Sequence, residues 1–425
     1  MAKMMPITTL LVFLVVPCLG GQTPWGQLPP SATIPIHPTQ LSIPKNVVKC
    51  FERDISQQRD FQITWENSQT DRRFGVDHEW MTTALQHWRD KFSWREVESN
   101  INRHPHFMAN LTVDTTKLQI HFMALFSKKT DAIPIAFFHG WPGSFLEFMD
   151  IFDIVKSRYD PDSSPYHLIV PSLPGFTFSS GPPIDSNWGI ANTSAVMDGL
   201  LQGLGFGKGY VAQGGDIGSF VAQTLALSSS SCKAVHLNFI PSVQPPGVPD
   251  PQNDTSLTPQ DRQVLARSQE FVNIKQAYAL EQGTRPATLG FVLSHNPVGL
   301  LAWIGEKFLS WTDPSTSLTL DQILTHISTY HLTQTTARSF YAYRETSYSL
   351  YPEPAVAPRI EKPMGYSQFP YDNSGVPESW AKEVGNLVFY KAHERGGHFP
   401  ALEYPEVLWE DVESFVQQTF PDSTI

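Results

Sequence analysis

The chain has 425 residues, of which 41% are apolar, so it can bury the core of one large domain or of two ordinary ones. Its formal net charge of −11 comes from scattered acidic residues without a basic stripe. This pattern argues against nucleic acid or an anionic membrane surface as a partner.

The first twenty residues differ from the rest of the chain. An apolar run at 7–16, followed by Cys-Leu-Gly at 18–20, is typical of a secretory signal peptide. The run is short for a membrane span, which needs about 20 residues. We therefore expect a secreted protein with no stable membrane insertion. The alternative is a retained segment that anchors the protein to the endoplasmic reticulum membrane.

Three glycosylation sequons fit this secretory route, at Asn110, Asn192 and Asn253. Two cysteines, Cys50 and Cys232, would remain after cleavage. Cys232 stands at the entrance to an apolar run, so simple burial explains it as well as a disulfide does. The sequence leaves open whether the two cysteines pair.

An amphipathic helix is predicted at 76–92, with Asp77 as its cap and one apolar face. That face indicates that the segment packs against the rest of the protein. The apolar residues are Trp80, Met81, Ala84, Leu85 and Trp88.

Short apolar runs of strand length recur further along the chain. Helical patterns such as 192–205 and 218–229 separate the first four runs, and this alternation predicts a parallel sheet with helices on both faces. The runs occupy 133–141, 166–176, 209–216, 233–240 and 385–392.

The alternation stops after the fourth run, where the sequence becomes mostly helical with polar loops. A helical insertion before the last strands would lie above their carboxyl ends as a lid. We expect five regions: a signal peptide or anchor (1–20), an N-terminal segment (21–118), the core (119–244), the lid (245–362) and the C-terminal part of the core (363–425).

The stretch VAQGGDIGSF, residues 211–220, has the pattern of a sharp strand-to-helix turn that mounts a nucleophile. Such a turn requires small neighbours, and Gly214 and Gly218 flank Asp216 at the required spacing. A plain helix cap would also explain an aspartate here. Because strand, turn and helix occur together, we interpret Asp216 as the nucleophile.

The loop HGWPGSF, residues 139–145, follows the first of these strands. In this type of fold the loop supplies one backbone N–H to an oxyanion hole, and the residue after the nucleophile supplies the other. By position these residues are Trp141 and Ile217. We interpret His139 as a brace of the loop rather than as a base.

The base should come late in the chain, on a turn after the last strand. His398 lies on such a turn, in ERGGHFPALEYPE, while His393 is interpreted as a surface residue. The acid that orients the base is expected at Asp372, in preference to Glu361 or Glu378.

A carboxylate nucleophile displaces a leaving group from saturated carbon and forms an ester on itself, which activated water then hydrolyses. Suitable substrates are epoxides and alkyl halides. An opening epoxide needs a proton donor, which a tyrosine provides. Spacing alone does not identify the donors among the lid tyrosines Tyr278, Tyr341, Tyr343 and Tyr348.

Over nearly its whole mature length the chain resembles the microsomal-type epoxide hydrolases, which are α/β-hydrolases with an added N-terminal region. The resemblance rests on several ordered blocks, including GVDHEWM, HGWPGSFLEF, QGGDIGS, NPVGLLAWIGEKF, YRE and GGHFPALE.

The resemblance implies an α/β-hydrolase fold with a mostly helical lid and an N-terminal segment that wraps the core and lid. It assigns the nucleophile, base and acid to Asp216, His398 and Asp372. It assigns the proton donors to Tyr278, which precedes Thr-Arg-Pro, and to Tyr343 of YRE.

The expected reaction converts a small-molecule epoxide and water to a vicinal diol without a cofactor or a metal. Three alternatives stay open: an epoxide-opening cyclase, a haloalkane dehalogenase and an inactive secreted binding protein. Ile217 speaks against the dehalogenase, which usually has Trp after the aspartate. The oligomeric state and the natural epoxide cannot be inferred from the sequence.

Overall fold

A computed structural model describes residues 16–17, 24–316, 318–346 and 358–421. Apart from the two-residue strand β1, the predicted signal peptide lies outside these ranges, and so does Tyr348.

Ten strands form one sheet in the described part of the chain. They are β1 (Val16–Pro17), β2 (Ile36–Gln40), β3 (His106–Val113), β4 (Thr116–Leu125), β5 (Ile133–Phe138), β6 (Tyr166–Pro171), β7 (Tyr210–Gly214), β8 (Cys232–Leu237), β9 (Ile360–Gln368) and β10 (Gly385–Ala392).

The α-helices of the described ranges precede, separate and follow these strands. They are α1 (Lys45–Ser56), α2 (His78–Asp90), α3 (Trp94–Ile101), α4 (Met149–Arg158), α5 (Ile190–Leu201), α6 (Asp216–Ser228), α7 (Pro259–Glu270), α8 (Ala277–Thr284), α9 (Pro286–Ser294), α10 (Pro297–Ser310), α11 (Leu320–Leu332), α12 (Thr335–Arg338), α13 (Tyr343–Thr346), α14 (Glu378–Val384), α15 (Pro400–Glu403) and α16 (Pro405–Thr419).

The strand order is β1-β2-β3-β4-β6-β5-β7-β8-β9-β10. The six strands from β6 to β10 in this order run parallel, whereas β1 to β4 are antiparallel to their neighbours. The predicted parallel sheet is therefore only the larger part of a mixed sheet. The strands β2 to β4 and β9 were not among the strands predicted from the sequence.

Helices cover both faces of the parallel part. All six residues of β5 are buried, which in a sheet requires cover on each face. The cover comes from two packed pairs of helices, α5 with α6 and α4 with α16. This is the predicted α/β class.

A helical lid, α7 to α13, separates β8 from β9, and β9 begins two residues before the expected end of the lid. The predicted amphipathic helix is present as α2, and Asp77 accepts a hydrogen bond from the Trp80 N–H at 2.7 Å. Its buried face packs on the lid, where Trp88 Nε1 donates to Ser328 Oγ at 3.1 Å.

Cys50 is exposed, Cys232 is buried, and neither forms a disulfide. Within the described ranges no single helix has the length and apolar character to cross a bilayer, and the bent pair α9 and α10 meets that test by length and composition only.

Candidate active site

The turn between β7 and α6 places Asp216 at its apex, in the left-handed region with φ of 48°. That conformation is costly for a residue with a side chain and recurs at functional sites. A Cβ on Gly214 would lie 2.2 Å from the Gly218 carbonyl oxygen, and a Cβ on Gly218 would lie 1.9 Å from that of Phe138. Gly214 is therefore needed for the tightness of the turn itself, and Gly218 for the close approach of the turn to β5.

The loop after β5 contacts the Asp216 carboxylate. The Trp141 N–H donates to Asp216 Oδ1 at 2.8 Å, and a Cβ on Gly140 would lie 2.1 Å from the same oxygen. Ile217 lies in the first turn of α6, where backbone N–H groups have no partner within the helix. Both predicted oxyanion-hole residues thus adjoin the carboxylate, one of them through a hydrogen bond.

His398 bridges the other two acidic groups of the site. Its Nδ1 donates to Asp372 Oδ1 at 2.6 Å, and its Nε2 lies 3.2 Å from Asp216 Oδ2. Burial alone would lower the pKa of His398, but the two carboxylates outweigh it and raise that pKa from 6.5 to about 10. At neutral pH the site therefore contains an imidazolium between two carboxylates.

Neither of the two alternatives to Asp372 as the orienting acid is buried in the site. Glu361 is exposed in β9, and Glu378 is exposed at the start of α14. His139 is buried, and its Nε2 accepts the Leu173 N–H at 3.1 Å, which fits the predicted bracing role. His393 is not the plain surface residue that we expected, because it is partly buried and its Nε2 lies 2.6 Å from Asp411 Oδ2.

Two lid tyrosines, Tyr278 of α8 and Tyr343 of α13, are buried next to the HGWPGSF loop. Trp141 stacks on Tyr278 at 5.3 Å between ring centroids and meets Tyr343 edge-on at 5.8 Å. The two tyrosine rings are 5.7 Å apart. Burial raises the pKa of both phenols well above 10, and the Asp216 carboxylate adds to the effect, so both are neutral O–H donors.

The third tyrosine considered, Tyr341, is engaged elsewhere, since its OH lies 3.0 Å from Thr193 Oγ1. A buried tyrosine that the sequence reading missed, Tyr330, donates to the Gly143 carbonyl at 2.8 Å. It fixes the lid on the HGWPGSF loop.

Two buried glutamates were also missed. Glu403 of α15 accepts the N–H groups of Asp313, Gly397 and Phe399 at 2.7 to 3.0 Å and so holds the loop that carries His398. Glu147 lines a small cavity together with Asp216 and His398. The spacing of Ser144 and Glu147 is that of a capping box, a signal that could have indicated the turn but not the cavity.

The three predicted glycosylation sequons differ in exposure. Asn253 is exposed in a loop and Asn192 is exposed at the start of α5, whereas Asn110 is half-buried in β3 and accepts from Gln119 at 3.1 Å.

The sheet order, the lid and the strand-turn-helix at Asp216 define an α/β-hydrolase. The family model "Epoxide hydrolase N terminus" matches residues 36–148, and that of the "alpha/beta hydrolase fold" matches 133–293. The chain is 39% identical over 396 residues to a putative epoxide hydrolase of Dothistroma septosporum, covering 92% of each.

Other relatives agree with this match. Epoxide hydrolase 1 of Sus scrofa is 30% identical over 383 residues, covering 81% of each chain. The structure of the Aspergillus niger epoxide hydrolase superposes with a TM-score of 0.86 at 43% identity, covering 93% of this chain and 99% of the other. The chain belongs to the epoxide hydrolase family.

Proposed function

We propose that this enzyme adds water to an epoxide through a covalent ester on Asp216 and releases a vicinal diol. The observation that carries the proposal is the placement of one carboxylate between two different partners. Asp216 Oδ1 accepts the Trp141 N–H, and Oδ2 faces His398 Nε2 at 3.2 Å. A carboxylate held in this way is oriented for attack on saturated carbon.

In the first step an Asp216 oxygen bonds to an epoxide carbon while the bond from that carbon to the ring oxygen breaks. The ring oxygen takes a proton from Tyr278 or Tyr343, which leaves a hydroxyalkyl ester and a tyrosinate. Both phenols are buried and neutral, so each can donate without first losing its proton to solvent.

Ester formation changes the electrostatics of the base. It removes the Asp216 charge that helps to raise the pKa of His398, so the imidazolium can return its proton to the tyrosinate. Neutral His398 then takes a proton from water as the water oxygen adds to the ester carbonyl. The Trp141 and Ile217 N–H groups hold the oxyanion. As this tetrahedral intermediate collapses, the bond to the alcohol oxygen breaks, and that oxygen takes the proton of the new carboxyl group.

An epoxide suits this site better than an alkyl halide. Halide departure is assisted by N–H donors, and the residue after the nucleophile, Ile217, has no such donor in its side chain. A pair of phenols suits an alkoxide that needs a proton. A cyclase would use the same residues but would deliver a substrate hydroxyl instead of water.

The experiment is to incubate the His398→Gln variant with styrene oxide and other aryl and alkyl epoxides. The masses of the intact protein and of its peptides are then measured by mass spectrometry. We expect one epoxide mass on the peptide that contains Asp216, because the ester forms but its hydrolysis stalls. Asp216→Asn should gain no mass. An active wild type together with an unlabelled His398→Gln variant would refute the assignment.

We also propose that the protein enters the secretory pathway and carries glycans at Asn192 and Asn253. The signal-like first twenty residues and the exposure of both asparagines support this. N-terminal sequencing of the protein from its own cells and a mass shift after endoglycosidase treatment test it. An intact N-terminus and an unchanged mass would contradict it.

A further inference from the structure

Glu147 is a buried carboxyl group to which the steps above assign no role. It lies in a short 3₁₀ turn, Phe145–Phe148, directly after the loop that contacts Asp216, and it is 8% exposed. Its Oε1 accepts the Ser144 N–H at 3.0 Å, and a Cβ on Gly143 would lie 1.6 Å from that oxygen. The turn thus fixes one oxygen of the carboxyl group.

The second oxygen, Oε2, accepts no hydrogen bond from a protein group in the described ranges, and it is not one of the side-chain atoms that the protein encloses completely. Water can therefore reach this oxygen and donate the hydrogen bond that no protein group supplies. Glu147 also lines a cavity of about 20 Å³ whose wall includes Asp216, His398 and Asn238. A cavity needs roughly 10–15 Å³ to hold a water molecule, so this one holds about one.

The cavity meets the chemical requirements of a hydrolytic water site. The nucleophile whose ester must be attacked and the base that must take the proton both line it. Apart from its contact with Asp216, His398 Nε2 bonds to no protein atom in the described part of the chain. A water here would have a proton acceptor on the base and a second acceptor on Glu147.

We infer that Glu147 Oε2 accepts a hydrogen bond from the water that hydrolyses the Asp216 ester, while His398 Nε2 takes the other proton of that water. The inference rests on the proposed ester mechanism. Glu147 is then a catalytic residue of the second step alone. The oxygen of the water adds to the ester carbonyl carbon, and Glu147 neither gains nor loses a bond.

The electrostatics of Glu147 agree with this role. Burial raises the pKa of Glu147 from 4.5 to about 8, the His398 imidazolium opposes the shift, and the Asp216 carboxylate adds to it. The group is therefore coupled to both reacting side chains. Near neutral pH Glu147 is therefore mostly a neutral carboxyl group, which keeps acceptor capacity for a hydrogen bond from the water.

A purely structural role predicts something different. As a cap of the turn, Glu147 would support the Trp141 loop, which the proposed mechanism uses in both steps. Its loss would then slow ester formation and ester hydrolysis together. Separate measurement of the rates of ester formation and ester hydrolysis therefore distinguishes a structural role of Glu147 from a catalytic one.

The test compares Glu147→Gln with wild type by rapid quench with styrene oxide, with mass spectrometry to follow the esterified fraction. Gln retains the acceptor for the Ser144 N–H. We expect ester formation within about twofold of wild type and ester hydrolysis slowed about 10- to 100-fold, so that the ester accumulates. Glu147→Asp, which retains a carboxyl group, should hydrolyse its ester faster than the Gln variant.

Ser144→Ala is the matched control, because it removes the other half of the capping box and leaves the carboxyl group. It should change the formation and hydrolysis rates by the same factor. Unchanged ester hydrolysis in Glu147→Gln, or equal slowing of both steps, would overturn the inference. Failure of His398→Gln to form any ester would instead refute the proposed function on which the inference rests.

Discussion

Replacement of Glu403 by Gln should make the position of His398, the proposed base, less well fixed. It changes none of the groups that react. The Glu403 carboxylate accepts three backbone N–H groups, those of Asp313 and Gly397 on Oε2 and that of Phe399 on Oε1. Two of these N–H groups flank His398, and the third belongs to the loop after α10. The neighbouring bond, from the His398 N–H to the Trp311 carbonyl at 2.8 Å, joins the same two segments.

The size of the expected effect depends on the number of hydrogen-bond acceptors that the side chain at position 403 offers. A Gln amide has one oxygen, so at best it keeps the Asp313 and Gly397 bonds and turns its NH₂ group toward the Phe399 N–H. One buried donor then loses its partner, at a cost of about 1–3 kcal/mol. A shift of His398 of around 1 Å lowers kcat by up to about 100-fold, because proton transfer depends on this geometry.

The assay pairs urea unfolding, followed by circular dichroism, with steady-state kinetics on an epoxide. Glu406→Gln is the control, since Glu406 is exposed at the start of α16. We expect the Glu403 variant to unfold at lower urea and to lose kcat, while the control matches wild type. Wild-type stability and kcat in the Glu403 variant would refute the reasoning.

Substitutions of Gly218, Asp372 and His398 also test the site, and Gly207→Ala is the control for the first. Gly218→Ala places a Cβ 1.9 Å from the Phe138 carbonyl oxygen and should cost about 1–3 kcal/mol or more in urea unfolding. Gly207→Ala, whose nearest contact is 3.9 Å, should stay within about 0.5 kcal/mol of wild type. Asp372→Asn should lower kcat about 10²- to 10⁴-fold with an unchanged circular dichroism spectrum, and a loss below tenfold would contradict its role. Because the pKa of His398 rises from 6.5 to about 10 on folding, the stability it contributes is complete below pH 6.5 and is lost as the pH rises to 10. The difference in unfolding free energy between wild type and His398→Gln should therefore shrink over that interval, and a constant difference would contradict the shift.

The parts of the site that sequence predicts best are those fixed by local spacing. The glycine spacing around Asp216 leaves few alternatives, because the turn has no space for a Cβ on either side. The order of nucleophile, acid and base along the chain likewise favours Asp372 and His398 over other acids and histidines. In the structure His398 Nδ1 lies 2.6 Å from Asp372 Oδ1. Tyr278 and Tyr343 came from the family resemblance, since lid tyrosines carry no local signal of their role.

The parts that sequence did not predict depend on distant contacts. β9 contains Lys362 and Pro363 among apolar residues, so it lacks the continuous apolar run of the other parallel strands. Glu147 gave a visible capping-box pattern, but the cavity beside it exists only because the His398 loop folds against it. Glu403 likewise acts on N–H groups from two separate regions of the chain.

The most direct test of the ester on Asp216 is a single turnover in ¹⁸O-labelled water with the enzyme in excess over the epoxide. The ester route requires that the diol take its second oxygen from the Asp216 carboxylate. We therefore expect a diol free of label and a peptide containing Asp216 that carries one ¹⁸O atom. Label in the diol of this first turnover, with none on the peptide, would mean that water attacks the epoxide directly and would contradict the account.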